Sequence, residues 1–148
     1  MFDLLITGGL VLDGAGNPGQ YLSVGVRDGR LEILRGDVSD IDAARTIDVT
    51  GRVVSPGFID VHAHSGLVIL SEPEHMPKVH QGVTTEVIGI DGNSYAPFHK
   101  PGDLDRMIRI NSGLDGDPEL PGSWGSVSEY LGMFDRKVAV NIAYVVGN

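Results

Sequence analysis

Asp60, His62 and His64 stand at every second position of Pro56-Gly57-Phe58-Ile59-Asp60-Val61-His62-Ala63-His64. Successive side chains of an extended strand point to opposite faces, so these three share one face. Two imidazoles so spaced lie about 7 Å apart along a strand. They can converge on one metal ion at about 2.0–2.1 Å each. The competing reading of such a pair is two solvated rings, or rings bonded to carbonyl groups. Asp60 also has two readings. It either accepts a hydrogen bond from a ligand imidazole and fixes its tautomer, or serves local structure as an inward acid low in a strand. The small Ala63 leaves the opposite face free to pack against a helix.

The elements that hold these residues can be read outward from them. Val53 to His62 reads as an incoming buried strand. Residues 72–80 predict a short helix, with Pro73 near its first turn and Gly82 closing it. Val83-Thr84-Thr85-Glu86-Val87-Ile88 is β-branched and predicts a second strand. Residues 89–102 read as a loop, 103–110 as a helix and 111–122 as another loop. Ser126-Val127-Ser128-Glu129 has the capping-box pattern and predicts a helix to Arg136. Its Val127, Tyr130, Leu131 and Phe134 have core-facing helical spacing. Lys137 to Val146 predicts a third strand. Strands alternating with helices imply parallel pairing through helical crossovers. Parallel α/β sheets and barrels carry their active sites at the C-terminal ends of strands, which is where the histidine pair falls.

Ahead of this region, residues 1–52 read as a small β-rich domain. Short apolar runs alternate with turn chemistry, densest at Asp13-Gly14-Ala15-Gly16-Asn17-Pro18-Gly19. Asp28-Gly29 between two alternating segments is a hairpin signal. The expected division is residues 1–52 and 53–148.

The chain has 148 residues with 11 Lys and Arg against 20 Asp and Glu, a net charge of −9. That balance lacks the basic stripe that nucleic-acid phosphates require and disfavours an anionic membrane surface. No apolar run reaches the roughly 18 residues of a membrane span. The absence of cysteine removes disulfides and thiolate metal ligands. The first residues lack a basic leader pattern, so the expected location is cytoplasmic. His75, His80 and His99 match no motif and read as surface histidines, and Glu86 reads as packing or pairing. Ser94 and Tyr95 read as turn formers or as the lining of an entrance.

The string Pro56-Gly57-Phe58-Ile59-Asp60-x-His62-x-His64 resembles the first-strand motif of the amidohydrolase superfamily. Gln81-Gly82-Val83-Thr84-Thr85-Glu86-Val87-Ile88-Gly89-Ile90-Asp91-Gly92-Asn93 is similar to the second strand and following loop of its N-acyl-D-amino-acid deacylase (D-aminoacylase) branch. The opening Asp3-Leu4-Leu5-Ile6-Thr7-Gly8-Gly9-Leu10-Val11-Leu12-Asp13-Gly14 resembles the same family's N-terminal β segment. The resemblance implies a TIM-type (β/α)8 barrel flanked by a small β domain, with one or two zinc ions at the barrel mouth. It makes His62 and His64 metal ligands. Asp91 stands where many members of the branch carry a cysteine ligand. A carboxylate also binds zinc, and the Asp91-Gly92 pair equally reads as an Asx turn.

The implied activity is zinc-dependent hydrolysis of the amide bond of N-acyl-D-amino acids, with a small N-acyl amino acid as partner. A (β/α)8 barrel typically takes about 250 residues, and this chain supplies three of its strands. The expectation is therefore an N-terminal portion holding the first three βα units, inactive alone. The general base and further metal ligands come from later strands, so no catalytic residue is assigned here. Three alternatives stand beside this reading. One is a cyclic-amide hydrolase of the dihydroorotase or hydantoinase kind. Another is a non-catalytic half that completes a barrel with a complementary chain. The third is an unrelated small α/β binding protein.

Overall fold

The apolar run near the N-terminus forms β1 (Leu4–Thr7), followed by β2 (Leu10–Val11), β3 (Gln20–Tyr21), β4 (Ser23–Arg27), β5 (Arg30–Leu34), β6 (Thr46–Asp48) and β7 (Val53–Val54). The computed structural model describes residues 1–147. In it, these strands make up one compact unit, Met1–Pro56. They form a four-stranded sheet in the order β5-β4-β1-β6 and a three-stranded sheet in the order β3-β2-β7. β1 runs antiparallel to β4 and parallel to β6. Asp28 and Gly29 join β4 to β5 with φ of 51° and 71°, the pair of positive values that a two-residue I′ hairpin needs. Phe2, Leu5 and Val24 are buried. A Cβ on Gly25 would stand 2.5 Å from the Phe2 ring, so glycine there admits the aromatic side chain.

The second unit begins at Gly57. The division thus falls after Pro56, where the sequence pointed to residue 53. Val53 and Val54 pair with Leu10 and Val11, which ties them to the first unit. The single expected strand from Val53 to His62 is broken at Ser55-Pro56-Gly57. Proline lacks the N–H that a continuous ladder needs.

The second unit contains β8 (Phe58–Asp60), α1 (Val68–Ser71), α2 (Met76–Val79), β9 (Val83–Ile88), α3 (Asp103–Asp115), α4 (Val127–Phe134) and β10 (Asn141–Tyr144). β8, β9 and β10 lie side by side and all parallel, with Asp60 opposite Glu86 and Glu86 opposite Ile142. This is the α/β arrangement of parallel strands joined by helical segments.

Three helical segments differ from expectation, and the third strand is shorter than expected, β10 covering Asn141–Tyr144 and not Lys137 to Val146. The helix expected over 72–80 is a single turn, α2 (Met76–Val79), and a separate turn, α1 (Val68–Ser71), precedes Pro73. The Pro73 carbonyl accepts from the Ala139 amide and His75 takes a φ of 47°, so the chain bends instead of continuing a helix. α3 runs to Asp115, beyond the expected end at 110. Leu104, Ile108 and Asp115 lie on its buried side, so tertiary contact carries the helix through weak helix formers. α4 stops at Phe134, two residues before Arg136, whose φ is 58°.

α4 starts with the expected capping box. Ser126 Oγ accepts from the Glu129 amide at 3.2 Å, and Glu129 Oε2 accepts from the Ser126 amide at 2.9 Å. Tyr130 and Phe134 are buried and Val127 is half-buried, whereas Leu131 is exposed, which corrects its core-facing reading. The Tyr130 ring stacks on Trp124 at 4.8 Å and meets Phe134 and Tyr144 edge-on at 4.9 and 5.1 Å. Its hydroxyl donates to the Gly66 carbonyl at 2.9 Å. Leu67, Ile69 and Ile88 complete this core directly behind the histidine pair.

Candidate metal centre

β8 ends at Asp60, and the chain bends through residues 61–64. Ala63 still donates its amide to the Val87 carbonyl at 3.0 Å and is buried, which anchors the bend between the two histidines. The His62 and His64 ring centroids come within 5.5 Å, tilted by 53°. They are closer than a fully extended strand would hold them.

Asp60 does not join them. Its carboxylate accepts from the His62 backbone amide at 3.1 Å and from the Lys78 ammonium. The sequence reading that gave it a hydrogen bond from an imidazole is corrected on this point. With the strand ended at Asp60, its carboxylate meets the backbone amide two residues on and not the rings. Lys78 first, then the His62 amide, hold the Asp60 carboxyl below its ordinary range.

Asp91 lies in the turn after β9. Asp91 and Gly92 have φ of 56° and 78°, and the Asn93 amide closes the turn on the Ile90 carbonyl at 2.9 Å. A Cβ on Gly89 would fall 2.2 Å from the Val145 carbonyl oxygen, so glycine is needed to bring this turn against the end of β10. The turn aims the Asp91 carboxylate back at the histidines. Oδ2 lies 2.9 Å from His62 Nε2 and 3.5 Å from His64 Nε2. The two readings of Asp91 are therefore compatible, because the backbone makes the turn and the side chain faces the imidazoles.

The three donor atoms of His62, His64 and Asp91 lie within 4.8 Å of one another. Ligands at about 2.0–2.2 Å from a common zinc stand roughly 3–4 Å apart, close to the 2.9 and 3.5 Å approaches of Asp91 Oδ2 to the two Nε2 atoms. Two imidazoles and a carboxylate are also a donor set that zinc accepts, so the residues present fit the ion. His62 and Asp91 are exposed and His64 is half-buried. A pocket of about 440 Å³, lined by His62, Gly89, Ile90, Asp91, Gly92 and Val145, opens beside them. A larger depression of about 750 Å³ between α4 and β10 lies away from this cluster.

Behind His64 lies a second carboxylate that the sequence reading passed over. Asp115 Oδ1 is 3.2 Å from His64 Nδ1. Asp115 Oδ2 accepts from the Tyr95 hydroxyl at 2.5 Å, and the Tyr95 carbonyl accepts from Trp124 Nε1 at 2.6 Å. Burial, and then the Asp115 carboxylate, push the Tyr95 hydroxyl well above its ordinary pKa. Tyr95 is thus a buried anchor and not an entrance residue. Ser94 Oγ ties the same loop to the Ala96 carbonyl at 2.6 Å and to the Tyr144 hydroxyl.

His75 is a further correction. It is buried against Glu86, with Nε2 3.1 Å from Oε2, whereas His80 and His99 are exposed as expected. Glu86 makes pairing contacts only, with His75, Ser65 and Lys78. Among the described residues no helix is long and apolar enough to cross a membrane.

Comparison with known proteins gives consistent matches. The model of the Amidohydrolase family matches residues 45–136. An N-acyl-D-glutamate deacylase of Alcaligenes xylosoxydans xylosoxydans is 37% identical over 147 residues, covering 99% of this chain and 28% of that protein. A D-aminoacylase of the same organism is 45% identical over 109 residues, covering 72% of this chain and 22% of that protein. Among solved structures, the crystal structure of a D-aminoacylase aligns with a TM-score of 0.76 at 40% identity, over 99% of this chain and 30% of that one. An N-acyl-D-glutamate deacylase from Bordetella bronchiseptica, complexed with zinc and a phosphonate inhibitor, aligns with a TM-score of 0.76 at 34% identity, over 99% of this chain and 29% of that one. The chain therefore spans less than a third of the length of these relatives.

Proposed function

The chain belongs to the amidohydrolase family, and on that premise we propose that it forms the first part of a zinc-dependent hydrolase of N-acyl-D-amino acids. The convergence of His62, His64 and Asp91 within 4.8 Å at the ends of β8 and β9 carries the reading. The activities named for its relatives, N-acyl-D-glutamate deacylase and D-aminoacylase, supply the substrate class. A small N-acyl amino acid as partner and a cytoplasmic location are parts of the same reading.

His62 Nε2, His64 Nε2 and an Asp91 carboxylate oxygen are the atoms that would hold the ion. Bound there, zinc supplies Lewis acidity, which polarises a carbonyl and makes water acidic near neutral pH. The pocket beside His62 and Asp91 gives the acyl group room. On its other side His64 shares a small space with the buried Ala63, Tyr95 and Ile88. β8, β9 and β10 are proposed as the first three strands of a (β/α)8 barrel, their order and parallel sense being those such a barrel needs. The proton acceptor is assigned to later strands, so the 148-residue chain by itself is expected to show no turnover.

Equilibrium dialysis with zinc, on the chain and on its His62→Ala/His64→Ala variant, tests the centre. Uptake by the former only is expected, and equal uptake by both removes the metal reading. The substrate class is tested by assaying the full-length protein on N-acyl-D-amino acids, their L counterparts and cyclic imides. Turnover of the cyclic imides alone would overturn the deacylase reading.

A further inference from the structure

We infer that Asp115 is a positioning residue for the metal centre: its carboxylate accepts a hydrogen bond from the Nδ1–H of His64, which leaves the unprotonated Nε2, with its lone pair, facing Asp91. This rests on the metal reading of His62, His64 and Asp91.

The placement of Asp115 is costly unless something compensates it. It is the last residue of α3 and 5% exposed. A carboxylate there sits at the negative end of the helix dipole and out of water. Among the described residues its one ion-pair partner is His64. Oδ2 is occupied by the Tyr95 hydroxyl at 2.5 Å. Oδ1 is buried with no aligned hydrogen-bond donor, and His64 Nδ1 stands 3.2 Å from it. The proposed bond places the Nδ1–H along this 3.2 Å approach.

A neutral imidazole carries one ring proton. When that proton sits on Nδ1 and is donated to Oδ1, the lone pair is on Nε2, which lies 3.5 Å from Asp91 Oδ2. Carboxylates behind ligand histidines fix the ring's tautomer and orientation in this way. The Asn93 side-chain nitrogen is 3.5 Å from the same Nδ1 and favours the opposite tautomer. The carboxylate is closer and charged, and charge-assisted hydrogen bonds are roughly twice as strong as neutral ones. Tyr95, fixed in turn by Trp124, keeps the carboxylate from rotating away. His62 is the more exposed ring, with a side chain 60% accessible against 24% for His64. Asp115 therefore pre-orients one ligand of the pair and leaves the other to adjust.

The test reads the His64 tautomer directly. Long-range proton–nitrogen NMR on the metal-free full chain at about pH 8, above the ordinary imidazole range, distinguishes Nδ1–H from Nε2–H. His64 is expected on Nδ1 in the wild type and as a mixture in Asp115→Asn. Zinc affinity, measured by competition with a chelator, is expected to fall about 10–100-fold in Asp115→Asn, and less in Tyr95→Phe. Wild-type His64 protonated on Nε2, or the same tautomer and affinity in Asp115→Asn, overturns the inference. Zinc uptake that His62→Ala/His64→Ala leaves unchanged overturns the metal reading instead. The wild-type spectrum needs no variant, so a poorly folding Asp115→Asn does not shield the idea.

Discussion

His75 Nε2 lies 3.1 Å from Glu86 Oε2, and the two side chains are only 8% and 0% exposed. Ser65 donates to the same oxygen. The other oxygen has no aligned donor, with the Lys78 ammonium 3.4 Å away. A carboxylate so enclosed depends on each neighbour, because the loss of one leaves buried charge uncompensated.

His75→Phe keeps an aromatic ring and removes a donor to Glu86. We expect it to lose about 2 kcal/mol of stability, read as a lower urea midpoint at unchanged slope. Glu86→Gln added to that variant should recover part of the loss, since a neutral amide is cheaper to bury. An unmoved midpoint in His75→Phe would mean the pair does not form.

Lys78 links Glu86 to Asp60. Its hydrogen bond to Asp60 raises its pKa above the usual 10.5, against the opposing effect of burial. A raised folded-state value means the contribution is complete below pH 10.5 and is lost as pH climbs through the folded value. Thermal unfolding across alkaline pH should show this loss in the wild type and not in Lys78→Met. The difference between the two profiles cancels the tyrosines, and parallel profiles would refute the linkage.

Asp91→Asn separates the turn from the donor set. Asn adopts the left-handed backbone as Asp does, so metal-free stability should change by less than about 0.5 kcal/mol. Zinc uptake should nevertheless fall by more than about 100-fold, beyond the loss of an outer partner. Dialysis beside a melting curve measures both. Unchanged uptake would leave Asp91 a turn residue only.

The start of α4 should weaken in acid. The Ser126 and Gly125 amides hold the Glu129 carboxyl below its ordinary 4.5. A depressed folded-state value means the contribution is present above pH 4.5 and lost as pH falls through the lower folded value. Ser126→Ala should cost about 1 kcal/mol at neutral pH. Glu129→Gln should flatten the acid limb of the stability profile. Hydrogen exchange of the first α4 amides reports both effects.

The legible parts of this protein are those whose cause lies within a few residues. Asp28-Gly29 marks its hairpin because both positions tolerate positive φ. Ser126 and Glu129 mark a helix start because each bonds the other's amide. The spacing marks His62 and His64 as one candidate pair and a resemblance adds Asp91, 29 positions beyond His62; the fold brings the three side chains together. The parallel order of β8, β9 and β10 follows from strands separated by helical segments.

Other features depend on partners far along the chain. Asp115 stands before Gly116 and Asp117 and has the local look of a turn, yet Tyr95, 20 residues earlier, draws it into the interior as the end of a helix. His75 has an unremarkable neighbourhood in sequence, and Glu86, 11 residues on, makes it a core residue. Asp60 shares a two-residue rhythm with the histidines, but Lys78 and the chain's bend send its carboxylate elsewhere. Local propensity and spacing name the groups able to do chemistry. Which of them meet is settled by the burial of charge, since a carboxylate out of water must find a donor wherever the packed chain provides one.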